Sequence, residues 1–201
     1  KLGNMLFRTF ITGSLTTYNR NLKNVKTRPV NMSLINLFPE KERDIRYTMF
    51  FDSEFFSTKG IRVCVRAAEM CLILAESYAH LSDTDNALTY LNLLRSKRIA
   101  DYVPYTVATL PAVNESDVIK TDATGAKLTP LMSAVLNERR KEMFMEGDRW
   151  FELKRNGRPE FWIAANGKKY VTEKYLYTYP IPRADVELFP DLLIQNPGYI
   201  N

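Results

Sequence analysis

Acidic and basic side chains recur at helical spacing within residues 138–155. Residues three or four positions apart lie on one face of a helix, so the carboxylates and guanidiniums of this stretch can pair. Three interpretations are open: a solvated face whose ion pairs each contribute about 0.2–0.5 kcal/mol, a partly buried network that fixes how two helices meet, or a set of catalytic carboxylates. The residues concerned are Glu138, Arg139, Glu142, Glu146 and Arg149.

The catalytic interpretation corresponds to glycoside hydrolysis, which requires two carboxyl groups about 5–9.5 Å apart. Glu138, Glu142 and Glu146 have helical spacings that allow such a distance. Each has an arginine or lysine within one helical turn, however, and a nearby cation favours the ionised carboxylate over the protonated form that a general acid needs. We therefore predict a buried and paired structural network, and we keep a glycoside hydrolase as an alternative.

The sequence contains few of the residues and motifs that other catalytic mechanisms require. His80 is the only histidine, which excludes histidine-based triads and multi-histidine metal sites within this sequence. There is no P-loop and no dinucleotide-binding fingerprint. We therefore expect a protein that is not an enzyme and that uses neither a metal nor a cofactor.

Composition is that of a soluble globular protein, with 201 residues, 45% hydrophobic and 25% charged. The net charge is +5, but the basic residues are scattered or interleaved with glutamates, so they do not form a continuous phosphate-binding stripe. Nucleic-acid binding is therefore not expected. No run approaches the roughly 18 apolar residues of a membrane helix. Cys64 and Cys71 would lie about 10 Å apart along one helix, which is too far for a disulfide.

The elements that must position these residues divide the chain into two parts. Residues 1–60 predict an irregular segment, with short strands at 5–12 and 30–34, a short strand or extended segment at 47–51 and a polar loop at 16–26. Residues 61–201 predict one mainly helical unit.

Helical order begins near Arg66. Small and apolar residues step by three and one along the first helix, which predicts an amphipathic helix: Ala67, Met70, Cys71, Leu74, Ala75, Tyr78 and Ala79. A polar turn at 82–85 leads into a second helix that ends near Ala100, and the pair resembles one tetratricopeptide-like hairpin. One such hairpin cannot bury its own faces. We expect its partner helices to come from residues 130–155 or from outside this sequence.

The C-terminal half contains a long connection at 101–128 and then further helices. Thr129 and Pro130 predict a helix N-cap followed by proline at the first helical position. Gly147 predicts a helix break. The next helix is expected to bury Trp150, Phe151 and Leu153. A strand or extended arm at 169–178 and a turn of helix at 183–187 complete the prediction.

Three blocks of sequence, in this order and spacing, resemble the C-terminal part of the SusD/RagB family, cell-surface nutrient-binding lipoproteins of Gram-negative bacteria. The first is Glu-Arg-Asp-Ile-Arg at 42–46, and the second covers 66–79 and 87–95. The third covers 137–155, and it is completed by Pro-Ile-Pro at 180–182 and Gln-Asn-Pro-Gly-Tyr at 195–199. The resemblance extends over about residues 42–201.

The resemblance implies a mainly α-helical, SusD-like fold of tetratricopeptide-like hairpins with irregular loops and a few short strands. It implies a non-enzymatic protein of the outer-membrane surface that captures a glycan or peptide, with an oligosaccharide as the expected ligand, and delivers it to a SusC-like TonB-dependent transporter. Family members are considerably longer and carry their lipid-anchored cysteine in the N-terminal part. Cys64 and Cys71 are internal, so the anchor is expected outside this sequence.

Ligand contacts in the family come mostly from variable loops, so the motif blocks identify none of them. Tyr18, Asn19 and Arg20 are our candidates, because an aromatic platform beside amide and guanidinium donors can hold a sugar. Trp162, Tyr102 and Tyr105 are rival candidates. The alternative function is a helical-repeat scaffold that binds only protein partners.

Overall fold

The computed structural model describes residues 29–59, 66–165, 167–190 and 192–199. In these residues the chain is mainly helical, as predicted, and the α-helices are α1 (Met32–Ile35), α2 (Ile45–Phe50), α3 (Ala67–His80), α4 (Thr84–Ser96), α5 (Pro130–Glu142), α6 (Asp148–Arg155) and α7 (Arg183–Leu188). Short 3-10 turns occupy Lys41–Arg43, Val107–Thr109 and Lys174–Tyr177. The strands are β1 (Phe161–Ala165) and β2 (Lys168–Thr172). No described helix combines the length and apolarity that crossing a bilayer requires.

The chain groups into two compact units. Among the described residues, one unit lies within 1–114 and 128–151, and the other lies within 115–127 and 152–201. The division falls within α6. The predicted boundary near residue 60 stays a prediction, because residues 60–65 lie outside the described part, as do the strand and loop expected at 5–12 and 16–26.

The core of the first unit lies where α3, α4 and α5 pack together. Ala75 of α3, Leu91 of α4 and Val135 of α5 are fully buried in it. Small side chains on α3 allow close approach of the neighbouring helices, since less side-chain volume separates the backbones. α5 thus supplies the partner helix that the predicted hairpin needs. α4 ends at Ser96 rather than near Ala100.

Two strands predicted in the N-terminal segment are helices instead. At 30–34 the alternation of polar and apolar residues is outweighed by Asn31, whose side chain accepts a hydrogen bond from the Ser33 amide at 2.8 Å and caps α1. At 47–51 the aromatic residues belong mostly to α2, which Asp44 caps through the Arg46 amide. Only Phe51, after the helix, is extended.

α5 and α6 agree with the predicted helix limits, but one residue of α6 is not buried as predicted. Thr129 caps α5 through the Met132 amide, with proline at the first position. Gly147, with a φ of +81°, separates the two helices. Leu153 is buried on α6 and Trp150 is half-buried, but Phe151 is 65% exposed. The prediction that Phe151 is buried is wrong because the short α6 turns that position toward solvent.

In the second unit β1 and β2 form an antiparallel hairpin, in which Trp162 pairs with Val171 and Ile163 with Tyr170. The strand predicted at 169–178 therefore ends at Thr172, and a 3-10 turn follows it. Tyr177 of that turn is fully buried, and its hydroxyl donates to the Pro159 carbonyl at 2.8 Å. The short helix predicted at 183–187 is α7.

Candidate functional site

Arg46 is the centre of a buried network of charged side chains, which we call the charge network. The side chain of Arg46 is 3% exposed. Its position follows from α2, because Asp44 both caps that helix and accepts hydrogen bonds from the Arg46 Nε and Nη2 atoms at 2.9 and 2.7 Å. Burial by itself would lower the pKa of Arg46, but the charge of Glu138 and the contact with Asp44 outweigh it and raise that pKa.

Glu138 of α5 joins three cations. Its Oε1 accepts from Arg46 Nη2 at 2.6 Å, and its Oε2 lies 3.0 Å from Arg95 Nη1 and 2.7 Å from Lys141 Nζ. Burial alone would raise the pKa of Glu138, but the attraction of Lys141, Arg46 and Arg95 is larger and holds that pKa far below its usual range. Glu138 is therefore a buried and ionised carboxylate.

Glu142, one helical turn further along α5, accepts hydrogen bonds from three arginines. Its Oε2 lies 3.0 Å from both Arg46 Nη1 and Arg98 Nε, and its Oε1 accepts from Arg98 Nη2 at 2.9 Å and from Arg66 Nη1. Burial raises the pKa of Glu142, but the hydrogen bond from Arg98 and the charge of Arg46 lower it to about 2. A general acid needs the opposite shift, so neither Glu138 nor Glu142 has the electrostatics of a glycosidase acid.

The remaining members of the predicted set lie near the end of α5. Glu146 is buried and accepts from Lys59 Nζ at 2.7 Å and from Arg66 Nη2 at 2.7 Å. Arg139 is buried and donates to both oxygens of Asp148 at 2.8 and 2.6 Å, across the Gly147 break. Arg149 is half-buried on α6. Apart from Lys141, the partners of these carboxylates lie outside α5, whereas Arg139 ties α5 to the start of α6.

Sequence reasoning missed most of the partners of these glutamates. The missed partners come from the segments that precede α5: Arg46, Lys59, Arg66, Arg95 and Arg98. No periodicity connects residues that are 43 to 96 positions apart, as Arg95 and Arg46 are from their glutamates. The available signal was that Arg46, Arg66 and Arg95 stand in the first two motif blocks, and Glu138 stands in the third.

A cavity of about 380 Å³, here called the basic cavity, opens beside the charge network. Its lining comes from α2, from positions 59 and 66, from the turn after α4 and from the end of α5 with the turn that follows it: Ile45, Arg46, Met49, Phe50, Lys59, Arg66, Lys97, Arg98, Glu142 and Glu146. Its size is within the range of ligand-binding cavities, which are about 300–1,000 Å³. The sequence did not indicate it, because its walls come from four distant parts of the chain.

Tyr102 and Tyr105 line a smaller cavity of about 190 Å³, and both rings have structural partners. The guanidinium carbon of Arg95 lies 3.8 Å from the Tyr105 ring centroid, so the cation covers one face of that ring. Asn92 holds the loop: its side chain contacts the Tyr102 hydroxyl and bonds the Tyr105 amide and carbonyl at 2.9 and 2.8 Å. These contacts fix the conformation of the long connection.

Trp162 is the candidate whose ring is most open. It lies on β1 and is 59% exposed, beside Val171 of the paired strand. Lys169 Nζ is 5.2 Å from the ring centroid. Tyr18, Asn19 and Arg20 lie outside the described residues.

The fold and the charge network define a class: an α-helical protein built on a tetratricopeptide-like hairpin, whose described residues hold no cluster of potential metal ligands. The SusD family model matches residues 40–199, and the chain belongs to that family. A crystal structure of a SusD superfamily protein from Bacteroides fragilis has the same fold, with a TM-score of 0.56 and 23% identity. The match covers 77% of this chain and 36% of that one. None of the curated proteins matches the chain.

The family and the SusD-like fold predicted from the motif blocks are thus confirmed. The chain spans little more than a third of the length of the Bacteroides fragilis relative.

Proposed function

We propose that this chain is a saccharide-binding component of an outer-membrane nutrient uptake system, and that it delivers oligosaccharides to a SusC-like TonB-dependent transporter. The observation that carries the proposal is the SusD family match over residues 40–199. The electrostatics of α5 support a binding role over catalysis, because the pKa of Glu142 is lowered to about 2 and that of Glu138 is also lowered. Attachment to the cell surface through a lipid anchor elsewhere in the protein is part of the proposal.

We further propose Trp162 as the aromatic platform of the saccharide site. Sugars stack on aromatic rings that water can reach, and Trp162 is 59% exposed. The rings of Tyr102 and Tyr105 are less suitable, because Arg95 covers the Tyr105 ring and Asn92 engages the Tyr102 hydroxyl. Tyr18, Asn19 and Arg20 remain candidates from the sequence.

A glycan array probed with the purified chain, followed by calorimetric titration of each hit, tests the function. Trp162→Ala should weaken the binding of a hit roughly five- to tenfold, as expected for loss of one aromatic contact. Trp162→Phe keeps an aromatic face and should lose less. Tyr179→Ala removes another exposed ring of the second unit, at 71% exposure, and should leave affinity unchanged.

Two outcomes would contradict the proposal. Binding of a transporter protein without binding of any saccharide would favour the scaffold that binds only protein partners. Release of reducing sugar by the wild-type chain, lost in Glu138→Gln or Glu142→Gln, would favour a glycoside hydrolase. Full saccharide affinity in Trp162→Ala would instead refute only the position of the site.

A further inference from the structure

The basic cavity has an unbalanced set of charges. Five of its lining side chains are basic and two are carboxylates, Glu142 and Glu146. Glu142 is shared by Arg46, Arg66 and Arg98, and Glu146 is shared by Lys59 and Arg66. Asp44 and Glu138, which do not line the cavity, also pair with Arg46 and offset its charge. A positive surplus thus remains on the wall formed by the other cations, and concave walls of low dielectric concentrate such a potential.

Lys97 contributes to this surplus most directly. It is exposed at the turn after α4 and lines the cavity. Among the described residues, no carboxylate forms a salt bridge with its ammonium group. An anion that enters the cavity can therefore pair with the Lys97 ammonium group without breaking an existing salt bridge.

The other cations are partly accessible and already ordered. The side chains of Lys59, Arg66 and Arg98 are 15, 29 and 25% exposed, so water and a ligand can reach them. Their bonds to Glu142 and Glu146 fix their positions before any ligand arrives. Binding then costs little side-chain entropy, which is the advantage of a preorganised site. Guanidinium groups also suit the planar geometry of a carboxylate.

One wall of the cavity is apolar and suits a carbon skeleton. Ile45 and Met49 of α2 are 50 and 61% exposed, and Phe50 lies beneath Lys59, whose Nζ is 4.4 Å from the ring centroid. A ligand that combines a compact carbon body with one acidic group matches this arrangement of an apolar wall and a cationic wall. A bare inorganic anion would use only the cationic wall.

We propose that the basic cavity binds the acidic group, a carboxylate or a sulfate, of an acidic oligosaccharide, and so gives the chain a preference for acidic over neutral saccharides. This inference rests on the proposed function, because it specifies the class of saccharide. The cavity belongs to the first compact unit, and Trp162 belongs to the second.

The test compares oligogalacturonate with the fully methyl-esterified oligomer of equal length, which keeps the sugar rings and lacks the charge. By calorimetry, wild-type chain should prefer the acidic oligomer. Lys97→Glu should weaken that binding roughly tenfold, as expected when one favourable charge contact becomes repulsive, and leave the ester unaffected. Lys41→Glu makes the same charge change at an exposed residue that lines neither cavity, and both ligands should bind it as they bind the wild type.

A titration with sodium sulfate separates this inference from the function on which it rests. By NMR, sulfate should shift the side-chain N–H signals of Arg66 and Arg98 in wild-type chain and less in Lys97→Glu. Those shifts without binding of any saccharide would support the anion site and refute the proposed function. The cavity proposal would be overturned if the chain bound acid and ester equally, if Lys97→Glu left both affinities unchanged and if sulfate caused no shifts. The proposed function would then still stand.

Discussion

Glu142 is the residue on which the charge network depends most. Three guanidiniums converge on its two oxygens, while its side chain is 2% exposed. Ion pairs exposed to water contribute little to stability. Removal of a buried carboxylate, however, leaves its buried cations without a counter-charge, which destabilises the fold. The loss in the free energy of unfolding on substitution of Glu142 therefore reflects mainly the arginines that remain buried without a counter-charge.

Neutralising this carboxylate should destabilise the fold strongly. We expect Glu142→Gln to lower the free energy of unfolding by about 3 kcal/mol, because Arg46 stays buried with less compensating charge. Urea denaturation followed by circular dichroism measures the loss. Glu54→Gln removes an exposed carboxylate of the same unit and should change stability by less than about 0.5 kcal/mol. Equal small effects of both substitutions would show that the network is energetically neutral.

The same carboxylate gives the fold a defined acid sensitivity. An unfolded glutamate has a pKa of about 4.3, whereas the pKa of folded Glu142 is lowered to about 2. A depressed carboxyl pKa stabilises the folded state above the unfolded pKa, and that stabilisation is lost as pH falls through the folded one. The free energy of unfolding should thus decline between about pH 5 and about pH 2. Denaturation midpoints over this range measure it, and Glu142→Gln should show a shallower decline; identical slopes would contradict the assignment.

At the scale of elements, short polar contacts decide where helices begin and end. Asn31 and Asp44 start α1 and α2 in segments whose side-chain patterns resemble strands. Two glycines with positive φ also mark helix limits: Gly147, at +81°, directly precedes α6, and Gly157, at +85°, follows its end. The two glycines differ in their surroundings. A Cβ at Gly147 would meet nothing within 4 Å, whereas a Cβ at Gly157 would meet the Thr121 hydroxyl.

This difference predicts unequal costs for the same substitution. Gly147→Ala should cost about 1–2 kcal/mol, the cost of a left-handed conformation for a residue with a Cβ. Gly157→Ala should cost more, because it adds a steric conflict with Thr121. In a double-mutant cycle, Thr121→Ala should recover part of the extra loss at Gly157 and none of the loss at Gly147. Strict additivity at position 157 would show that the backbone relaxes to avoid the contact.

Over the whole molecule, the sequence predicted what local signals encode and missed what depends on distant contacts. Helical periodicity, the Thr129-Pro130 start and the Gly147 break predicted α3 to α6, and the motif blocks predicted the family. The prediction of strands at 30–34 and 47–51 was wrong, because one capping side chain in each segment, Asn31 and Asp44, outweighed a weak strand-like pattern. The partners of Glu138 and Glu142 and the basic cavity were missed, since neither has a periodic signature.

The charge network also implies an order of events as the chain folds. Arg46, Arg66 and Arg98 lie 96, 76 and 44 residues from Glu142, whereas α3 and α4 meet across a short turn. Closing long loops is slow because chain entropy opposes it, so we expect the helical hairpin in the transition state and the network only after it. Glu142→Gln should then accelerate unfolding and leave the refolding rate nearly unchanged in stopped-flow chevron plots. A substitution that instead slowed refolding in proportion to the lost stability would place these ion pairs in the folding nucleus.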